Sequence, residues 1–547
     1  MKSKTEQDIY LQGLLQATTV AKRRKRKENG MNRMKVCQGE FASIHGTSFE
    51  RIKKIKRLLV NDKVPCDKRD PDFEKTVLQW YNESESDVDD NFAESDSEDK
   101  VEELSEHNDD TSSEDDEFEE RPLQRDGILK GKNGFAWSSR EPAKTRTPSR
   151  NIVVKVPGIK NARVIITEID AWAILFTPTI LNEIITHTNE EIERQGVKYQ
   201  PGTKYVHPTD NVEINALLGL LYIAGARKDA HLSVQQMFSS QGPQIYRCIM
   251  PEIRFKFLLN CLRFDDKEKR NREDKFSPIR QIWEDFIENC TKSYSPHCYV
   301  TIDEQLLGFR GKCPFRVYIG SKPDKYGIKV VCMCDSRTYY MISAIPYIGK
   351  NTNPTNESVP MYLVKELSKS IHGTNRNITM DNWFTSVPLA KEMLSSKGLT
   401  IVGTIRHNKR EIPPSFLPSK NKPVLTSEFA FSDKLTLVSF TPKRNKSVIL
   451  ISTMHADKNV NEVSKKPEII EFYNSTKGGV DTFDQMAHNY TVSRKTRRWP
   501  LRYFYGMLDQ AAINAFVLYN VSRNASKVTR NKFLQSLGLQ LAKPWME

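Results

Sequence analysis

The fold is decided by the stretch Thr301-Ile302-Asp303-Glu304-Gln305-Leu306, which sets two consecutive acidic residues in a segment typical of a buried β-strand. We predict that strand over Tyr299–Leu307. Successive strand side chains point to opposite faces, so Asp303 and Glu304 are not both expected to face one site. Ligands of α/β sheets gather at strand carboxyl ends, which makes Asp303 a candidate site residue.

The residues that follow predict an α/β sheet with helices on its faces. Further strands are predicted over Gly327–Cys334, Tyr339–Pro346, Asn377–Met380 and Thr400–Ile405, with a helix over Leu389–Ser396. Residues 408–433 are rich in proline and are predicted to be a loop. Leu435–Phe440 and Val448–Met454 are predicted to pair as a hairpin.

Mostly helical regions are predicted on both sides of this sheet. Periodicity predicts helix over 163–195 and from Asp210 onward, where Asp210 is the expected N-cap and Glu213 the acid that reaches back to complete it. The segment Pro500–Tyr519 is apolar nearly all round, so it is expected to be a buried helix.

Three more acidic residues stand where site residues are expected. Asp381 directly follows the strand Asn377–Met380, and Asp481 and Asp484 are three residues apart at the start of a helix, hence on one face. Carboxylates meeting from two strand ends and a helix could hold Mg²⁺ or Mn²⁺. Taken singly, each aspartate is more typical of a cap or turn.

The charge of the chain is divided unevenly. Residues 83–120 contain 20 acidic side chains and one basic residue, Lys100, for a net charge of −19. The whole chain carries +14, so the remainder carries +33. A surplus of this size favours a polyanionic partner, and we interpret it as nucleic acid.

Composition also excludes some classes of protein. No apolar stretch reaches the ~18–20 residues that span a bilayer, so no membrane association is expected. The nine cysteines form no C-x-x-C pair, which indicates reduced, mostly buried thiols. Residues 1–130 are predicted to be largely disordered, because the acidic segment cannot bury enough apolar surface. The basic block at 22–27 is either a nuclear localisation signal or DNA-contacting arm, or a solvated charge run.

Several blocks of sequence resemble those of piggyBac transposases. The resemblance rests on five motifs in order, namely Thr301–Leu306, Lys322–Lys329, Asp381–Ser386, Lys477–Met486 and Ser493–Pro500. It extends from about Gly134 to about Leu541. It implies a nuclear DNA transposase that cuts at transposon ends, forms hairpins there and joins the ends at TTAA targets.

The resemblance also implies an architecture. An RNase H-like catalytic core is expected at 299–407, completed by its last helix at 468–490, with an inserted β-containing subdomain at 408–467. A helical region for dimerisation and DNA binding is expected at 131–298 and 491–547, and the active form is expected to be a homodimer.

In this family Asp303, Asp381 and Asp481 correspond to the catalytic metal-binding triad, and Asp484 to a supporting fourth aspartate. Two Mg²⁺ or Mn²⁺ ions would serve phosphodiester cleavage and strand transfer. Family members commonly end in a cysteine-rich zinc-binding domain. The sequence has no cysteine after Cys334, so no C-terminal zinc site is expected.

Basic residues near these motifs are candidates for DNA contact. They are Lys322, Lys325, Lys329, Lys477, Arg494, Lys495, Arg497 and Arg498, followed by Trp499. Cationic groups neutralise phosphates and an indole can stack on a base, although packing of Trp499 in the core is about equally expected. Two functions stay open: a competent transposase, or a domesticated DNA-binding or chromatin protein that keeps the fold and not the reaction.

Overall fold

The computed structural model describes residues 127–143, 148–160, 164–320, 322–522 and 524–547. The basic block at 22–27 and the acidic segment at 83–120 lie outside these ranges, so the interpretations given for them stay predictions. The strands are β1 (Ile128–Lys130), β2 (Ala136–Ser138), β3 (Gly158–Ile159), β4 (Tyr294–Ser295), β5 (Tyr299–Gly308), β6 (Arg316–Tyr318), β7 (Tyr326–Asp335), β8 (Met341–Pro346), β9 (Asn377–Met380), β10 (Thr400–Thr404), β11 (Ser427–Ser432), β12 (Leu435–Lys443) and β13 (Lys446–Ser452).

Helices surround these strands. They are α1 (Glu168–Ala173), α2 (Pro178–Gly196), α3 (Asn211–Ala226), α4 (Val234–Phe238), α5 (Gln244–Ile249), α6 (Glu252–Cys261), α7 (Arg280–Ser293), α8 (Val359–Ser368), α9 (Val387–Lys397), α10 (Glu468–Thr476), α11 (Gly479–Asn489), α12 (Trp499–Val521) and α13 (Arg530–Met546). Short 3₁₀ turns occur at Ser149–Asn151, Asp229–His231, Ser277–Ile279, Gly349–Thr352, Lys369–Ile371 and Pro414–Phe416.

Eleven of the strands form one mixed sheet. Its order is β1-β2-β11-β12-β13-β10-β9-β5-β7-β6, and β8 pairs with β7 beyond that path. β5, β9 and β10 run parallel to one another, whereas β7 is antiparallel to β5 and Asp303 lies opposite Cys332. The α/β architecture predicted from the sequence is therefore present.

The middle of the sheet is covered on both faces. Consecutive residues of β7, from Val330 to Cys334, are all fully buried, so both faces of this strand are packed. In β5 the two acidic residues Asp303 and Glu304 interrupt an otherwise buried run, and both are only half-buried. The sheet thus opens to solvent at the acidic pair.

The long helix α12 is buried, as its sequence predicted, and it is hydrogen-bonded to the sheet. Gln510 donates to the side chain of Gln305 on β5 at 2.8 Å. The amide of Asn514, which is fully buried, both donates to and accepts from the backbone of Met341 on β8. These polar contacts fix α12 across the strand that carries Asp303.

The N-terminus of α3 corrects one prediction. Asp210 is the N-cap as expected, and it accepts from the backbone N–H of Glu213 at 2.8 Å. Glu213 does not reach back to complete the cap, because its carboxylate is paired with Arg254 at 2.5 Å in a buried ion pair. Leaving the buried guanidinium without a counter-charge would cost more free energy than leaving the helix end without a second cap.

Two boundary predictions were also wrong. The helix predicted over 163–195 is broken into α1 and α2, since Pro178 occupies the first turn of α2 and cannot continue the preceding helix. The loop predicted at 408–433 contains β11, which pairs with β12 from Ser427 to Ser432. The predicted hairpin is confirmed as β12 and β13, and β13 joins it to β10 of the main sheet. Among the described helices, none combines the length and apolar character needed to cross a bilayer.

Candidate active site

Asp303 lies in the middle of β5, which continues to Gly308, and not at the carboxyl end of the strand, where the sequence predicted it. Its Oδ1 accepts from the backbone N–H of Glu304 at 2.8 Å. Burial raises the pKa of Asp303 well above its ordinary value, and the carboxylates of Glu304, Asp381 and Asp481 raise it further. Burial and these neighbouring negative charges both destabilise the ionised form of Asp303.

Asp381 follows β9, the parallel neighbour of β5, and the pairing of Ile302 with Met380 sets it beside Asp303. The backbone N–H of Trp383 donates to Asp381 Oδ1 at 2.9 Å, and the Thr385 hydroxyl donates to the Asp381 carbonyl at 2.7 Å. These bonds fix the turn after the strand. Burial raises the pKa of Asp381 to about 6, and Glu304 contributes to the rise.

The turn between α10 and α11 holds the remaining two aspartates over β5. Thr301 on β5 donates to the carbonyl of Thr476 at 2.6 Å. Gly479 packs so closely on Thr301 that a Cβ at this position would lie 2.5 Å from the Thr301 hydroxyl oxygen. Because the helix starts in contact with the strand, Asp481 and Asp484 in its first turns are carried to the same end of the sheet.

Asp481 and Asp484 differ in environment. Asp481 is 63% exposed and its Oδ1 lies 3.0 Å from the ammonium of Lys322. Asp484 is buried, which raises its pKa. Its Oδ1 lies 3.5 Å from His488 Nδ1 and has no hydrogen-bond partner within the described part of the chain.

Several of these carboxylates raise the pKa values of two neighbouring side chains, Lys322 and Tyr473. Burial alone would lower the pKa of Lys322, yet Asp481, Asp303 and Asp484 together raise it. Burial raises the pKa of the Tyr473 hydroxyl on α10, and Asp381, Asp303 and Asp481 add to the effect. Lys322 and Tyr473 therefore each lie within electrostatic reach of three of the four predicted aspartates.

The donor set suits a hard divalent cation, because all four groups offer carboxylate oxygens and a buried oxygen of Asp484 lacks a hydrogen bond. As placed, no three His, Cys, Asp or Glu side chains of the described residues are close enough to hold one metal ion. The ammonium of Lys322 balances the charge of the carboxylates instead.

Glu304 is a residue that the sequence argument had set aside. The alternation of strand side chains predicts that Glu304 and Asp303 face opposite sides of the sheet. In the structure Glu304 Oε2 lies 3.8 Å from Lys329 Nζ, and its charge raises the pKa of both Asp303 and Asp381. The signal was present in the sequence as two adjacent acids, since half-buried charges act across several ångströms.

The three predicted lysines of the 322–329 motif have different surroundings. Lys322 pairs with Asp481, and Lys329 lies 3.8 Å above the centroid of the Trp383 ring as well as beside Glu304. Both ammonium groups therefore face acids or an aromatic ring. Lys325 is exposed, and the fourth candidate, Lys477, is half-buried over the ring of Tyr473.

The residues of the basic segment 494–498 also differ from one another in their surroundings. Arg494 donates to the carbonyls of Asp229 and Leu232, and Arg498 donates to those of Leu259, Asn260 and Leu262 at the end of α6. These guanidinium groups dock the segment onto the helical region. Lys495 and Arg497 are exposed. Trp499 is stacked on Phe276 with ring centroids 6.0 Å apart, which is the packing alternative.

Comparison with known proteins identifies relatives of this chain. The family model described as Transposase IS4 matches residues 167–516. The human PiggyBac transposable element-derived protein 3 is 26% identical over 376 residues, which cover 63% of this chain and 62% of that protein. The human PiggyBac transposable element-derived protein 2 is 21% identical over 382 residues, covering 65% and 62%. The aligned region thus spans less than two thirds of either human relative.

A solved structure gives a closer match. The cryo-EM structure of a piggyBac transposase synaptic complex with hairpin DNA superposes with a TM-score of 0.69 and 44% sequence identity. The match covers 72% of this chain and 84% of that one. The chain therefore belongs to the piggyBac transposase family.

Proposed function

We propose that this protein is a piggyBac-type DNA transposase that cleaves and joins DNA strands with divalent metal ions held by Asp303, Asp381 and Asp481. One observation carries the proposal: the pairing of Ile302 with Met380 sets Asp303 beside Asp381, and the Thr301–Thr476 contact brings in the helix of Asp481. Raised pKa values of two neighbouring buried carboxyls, here Asp303 and Asp381, are typical of a functional site.

The strand order supports an RNase H-like core. Within the sheet, β8-β7-β5-β9-β10 form a mixed set in which only β7 lies antiparallel to both of its partners. Asp303 lies on the central strand of this set and Asp381 at the end of the next. We propose the helices before β5 and after α11 as the dimerisation and DNA-binding region, and 408–467 as the insertion.

Each aspartate has a defined part in this proposal. Asp303, Asp381 and Asp481 would hold two Mg²⁺ or Mn²⁺ ions, and Asp484 would support them from its buried position on α11. When bound, such ions activate an attacking oxygen and stabilise the leaving oxygen of an in-line displacement. The turn fixed by Thr385 keeps the Asp381 carboxylate pointed at the site.

DNA is the proposed substrate because the body of the chain is strongly basic and exposed cations lie in the matched motifs. Lys325, Lys495 and Arg497 have the exposure that phosphate contact requires. The neighbouring structure is a piggyBac transposase complex with hairpin DNA, which favours the same class of ligand here. Joining at TTAA targets, homodimerisation and nuclear location complete the proposal.

A cleavage assay tests the proposed function. The full chain is incubated with Mg²⁺ and duplex DNA that carries the inverted repeats found beside its gene. Nicking and hairpin products are expected for the wild type, and their loss for Asp381→Asn, while Asp433→Asn, an exposed aspartate of the β11–β12 turn, retains them. Product formation by Asp381→Asn at the wild-type rate would refute the assignment.

The names of the human relatives favour a second candidate. Both are described as transposable element-derived, so this chain could be a domesticated DNA-binding protein that keeps the fold without the reaction. Salt-sensitive DNA binding without any strand cleavage, by a chain whose aspartates are intact, would select this candidate.

A further inference from the structure

A cavity of about 550 Å³ lies where the loop after β5 meets the basic segment before α12. The loop supplies Gly308 to Gly311 and the segment supplies Ser493 to Arg497. The cations that line it are Arg310, Arg494, Lys495, Arg497 and Arg502, and no acidic residue lines it. The carboxylates of Asp324 and Asp509 offset part of the charge of Arg502 from outside the lining. The remaining surplus of positive charge favours an anion in the cavity.

Arg502 contributes a buried hydrogen-bond donor to this cavity. Its Nε donates to the carbonyl of Gly308 at 2.9 Å, which fixes the guanidinium on the wall. Its Nη1 is buried and has no hydrogen-bond partner in the described part of the chain. An unpaired buried guanidinium N–H costs free energy that a phosphate oxygen would recover.

The two walls of the cavity are held in register by backbone contact. A Cβ at Gly311 would lie 2.3 Å from the ring of Phe309 and 3.0 Å from the carbonyl of Arg497. Only glycine allows the loop this approach to the basic segment. Arg310 and Arg497 therefore stay at the same rim without depending on flexible side-chain contacts.

We propose that this cavity binds a single phosphodiester group of the DNA backbone, between Arg502 at its wall and the exposed cations Arg310, Lys495 and Arg497 at its rim. The proposal rests on the proposed function, since the phosphate is taken to belong to DNA. It adds Arg310 and Arg502 to the DNA-binding residues. Arg494 is not required to contact the phosphate, so it keeps its hydrogen bonds to backbone carbonyls.

The salt dependence of DNA binding counts the phosphates that a protein neutralises. We would measure the affinity of the full chain for a labelled duplex at increasing salt, for the wild type and for the triple variant Arg310→Gln, Lys495→Gln, Arg497→Gln. If the rim cations share one phosphate, the slope of log K against log salt falls by about 0.9. If they contact three phosphates, it falls roughly three times as much.

Arg502 is tested by non-additivity. Arg502→Lys keeps the positive charge and loses the planar guanidinium with its several N–H donors. It is therefore expected to weaken DNA binding in the wild-type background and to cause little further loss of affinity in the triple variant. Equal losses in both backgrounds would place Arg502 outside the phosphate site. The control Lys434→Gln, at an exposed turn, is expected to leave affinity and slope unchanged.

Inorganic phosphate separates DNA from a free anion as the ligand. At equal ionic strength, phosphate should displace DNA from the wild type more strongly than chloride does, and the difference should vanish in the triple variant. Stabilisation of the protein by phosphate, with an unchanged DNA slope in the triple variant, would overturn the proposal in favour of a free-anion site. A wild type that binds no DNA would instead refute the proposed function.

Discussion

Lys322 Nζ lies 3.0 Å from Asp481 Oδ1, and this ion pair joins the turn between β6 and β7 to the first turn of α11. The lysine side chain is 16% exposed, and its pKa is raised by Asp481, Asp303 and Asp484 against the effect of burial. The ammonium of Lys322 thus offsets part of the repulsion among three of these carboxylates.

Replacing this lysine should make folding depend on divalent ions. In Lys322→Met the carboxylates lose their counter-charge, so unfolding free energy without metal should fall by about 1–3 kcal/mol. Added Mg²⁺ should stabilise the variant more than the wild type, because it replaces the missing charge. Urea denaturation with and without Mg²⁺ measures both effects. Lys325→Met, exposed three residues away, is the control, and an equal Mg²⁺ effect in all three proteins would contradict the prediction.

Asp381→Asn should abolish strand cleavage and yet stabilise the metal-free protein. The pKa of Asp381 is raised from 3.8 to about 6, so between these pH values the folded state binds more protons than the unfolded state. Stability contributed by this group therefore decreases as pH rises from 3.8 to about 6. Above that range the asparagine variant should be more stable, by on the order of 1–3 kcal/mol. A metal-free variant that is less stable than the wild type at neutral pH would contradict the predicted gain in unfolding free energy.

His488 should contribute stability that disappears at alkaline pH. The hydrogen bond to Asp324 raises the pKa of His488 from 6.5 to about 9, with Asp484 adding to the rise and burial opposing it. The contribution is fully present below pH 6.5 and is lost as pH rises through about 9. The difference in unfolding free energy between the wild type and His488→Gln should follow that course. A difference that does not change with pH would show that the charged imidazole has no such role.

Arg498 and Arg497 should differ although they are adjacent. Arg498→Met removes donors to three carbonyls at the end of α6 and should cost roughly 2–4 kcal/mol of stability. Arg497→Met, at an exposed position, should change stability by less than about 0.5 kcal/mol and weaken DNA binding instead. Chemical denaturation and DNA titration of both variants provide the comparison. Similar stability losses would mean that the docking contacts of Arg498 carry little energy.

The sequence was informative where local pattern and chemistry agree. The residues just before Asp303 and Asp381 are mostly β-branched, and the helix of Asp481 begins at a pair of glycines, so each element was predicted from its own residues. The family motifs then identified which of many aspartates to bring together. Nothing local could place them in space, because their meeting depends on the parallel pairing of β5 with β9 and on the Thr301–Thr476 contact.

The basic residues show the limit of sequence reasoning. Arg494, Lys495, Arg497 and Arg498 have the same chemistry and stand in one run, and all were predicted to contact DNA. The fold turns Arg494 and Arg498 towards helix-end carbonyls and leaves the other two in solvent. Arg502 was not predicted to contact DNA, because it lies within an apolar helix. In the structure it lines the basic cavity.

The central claim is that the separated aspartates form one divalent-metal site, and Mn²⁺ binding tests it most directly. Free Mn²⁺ measured by electron paramagnetic resonance during titration of the full chain gives the number and affinity of bound ions. We expect two ions in the wild type, with binding weakened in each of Asp303→Asn, Asp381→Asn and Asp481→Asn and unchanged in Asp433→Asn. Undiminished Mn²⁺ binding by the three site variants would contradict the claim.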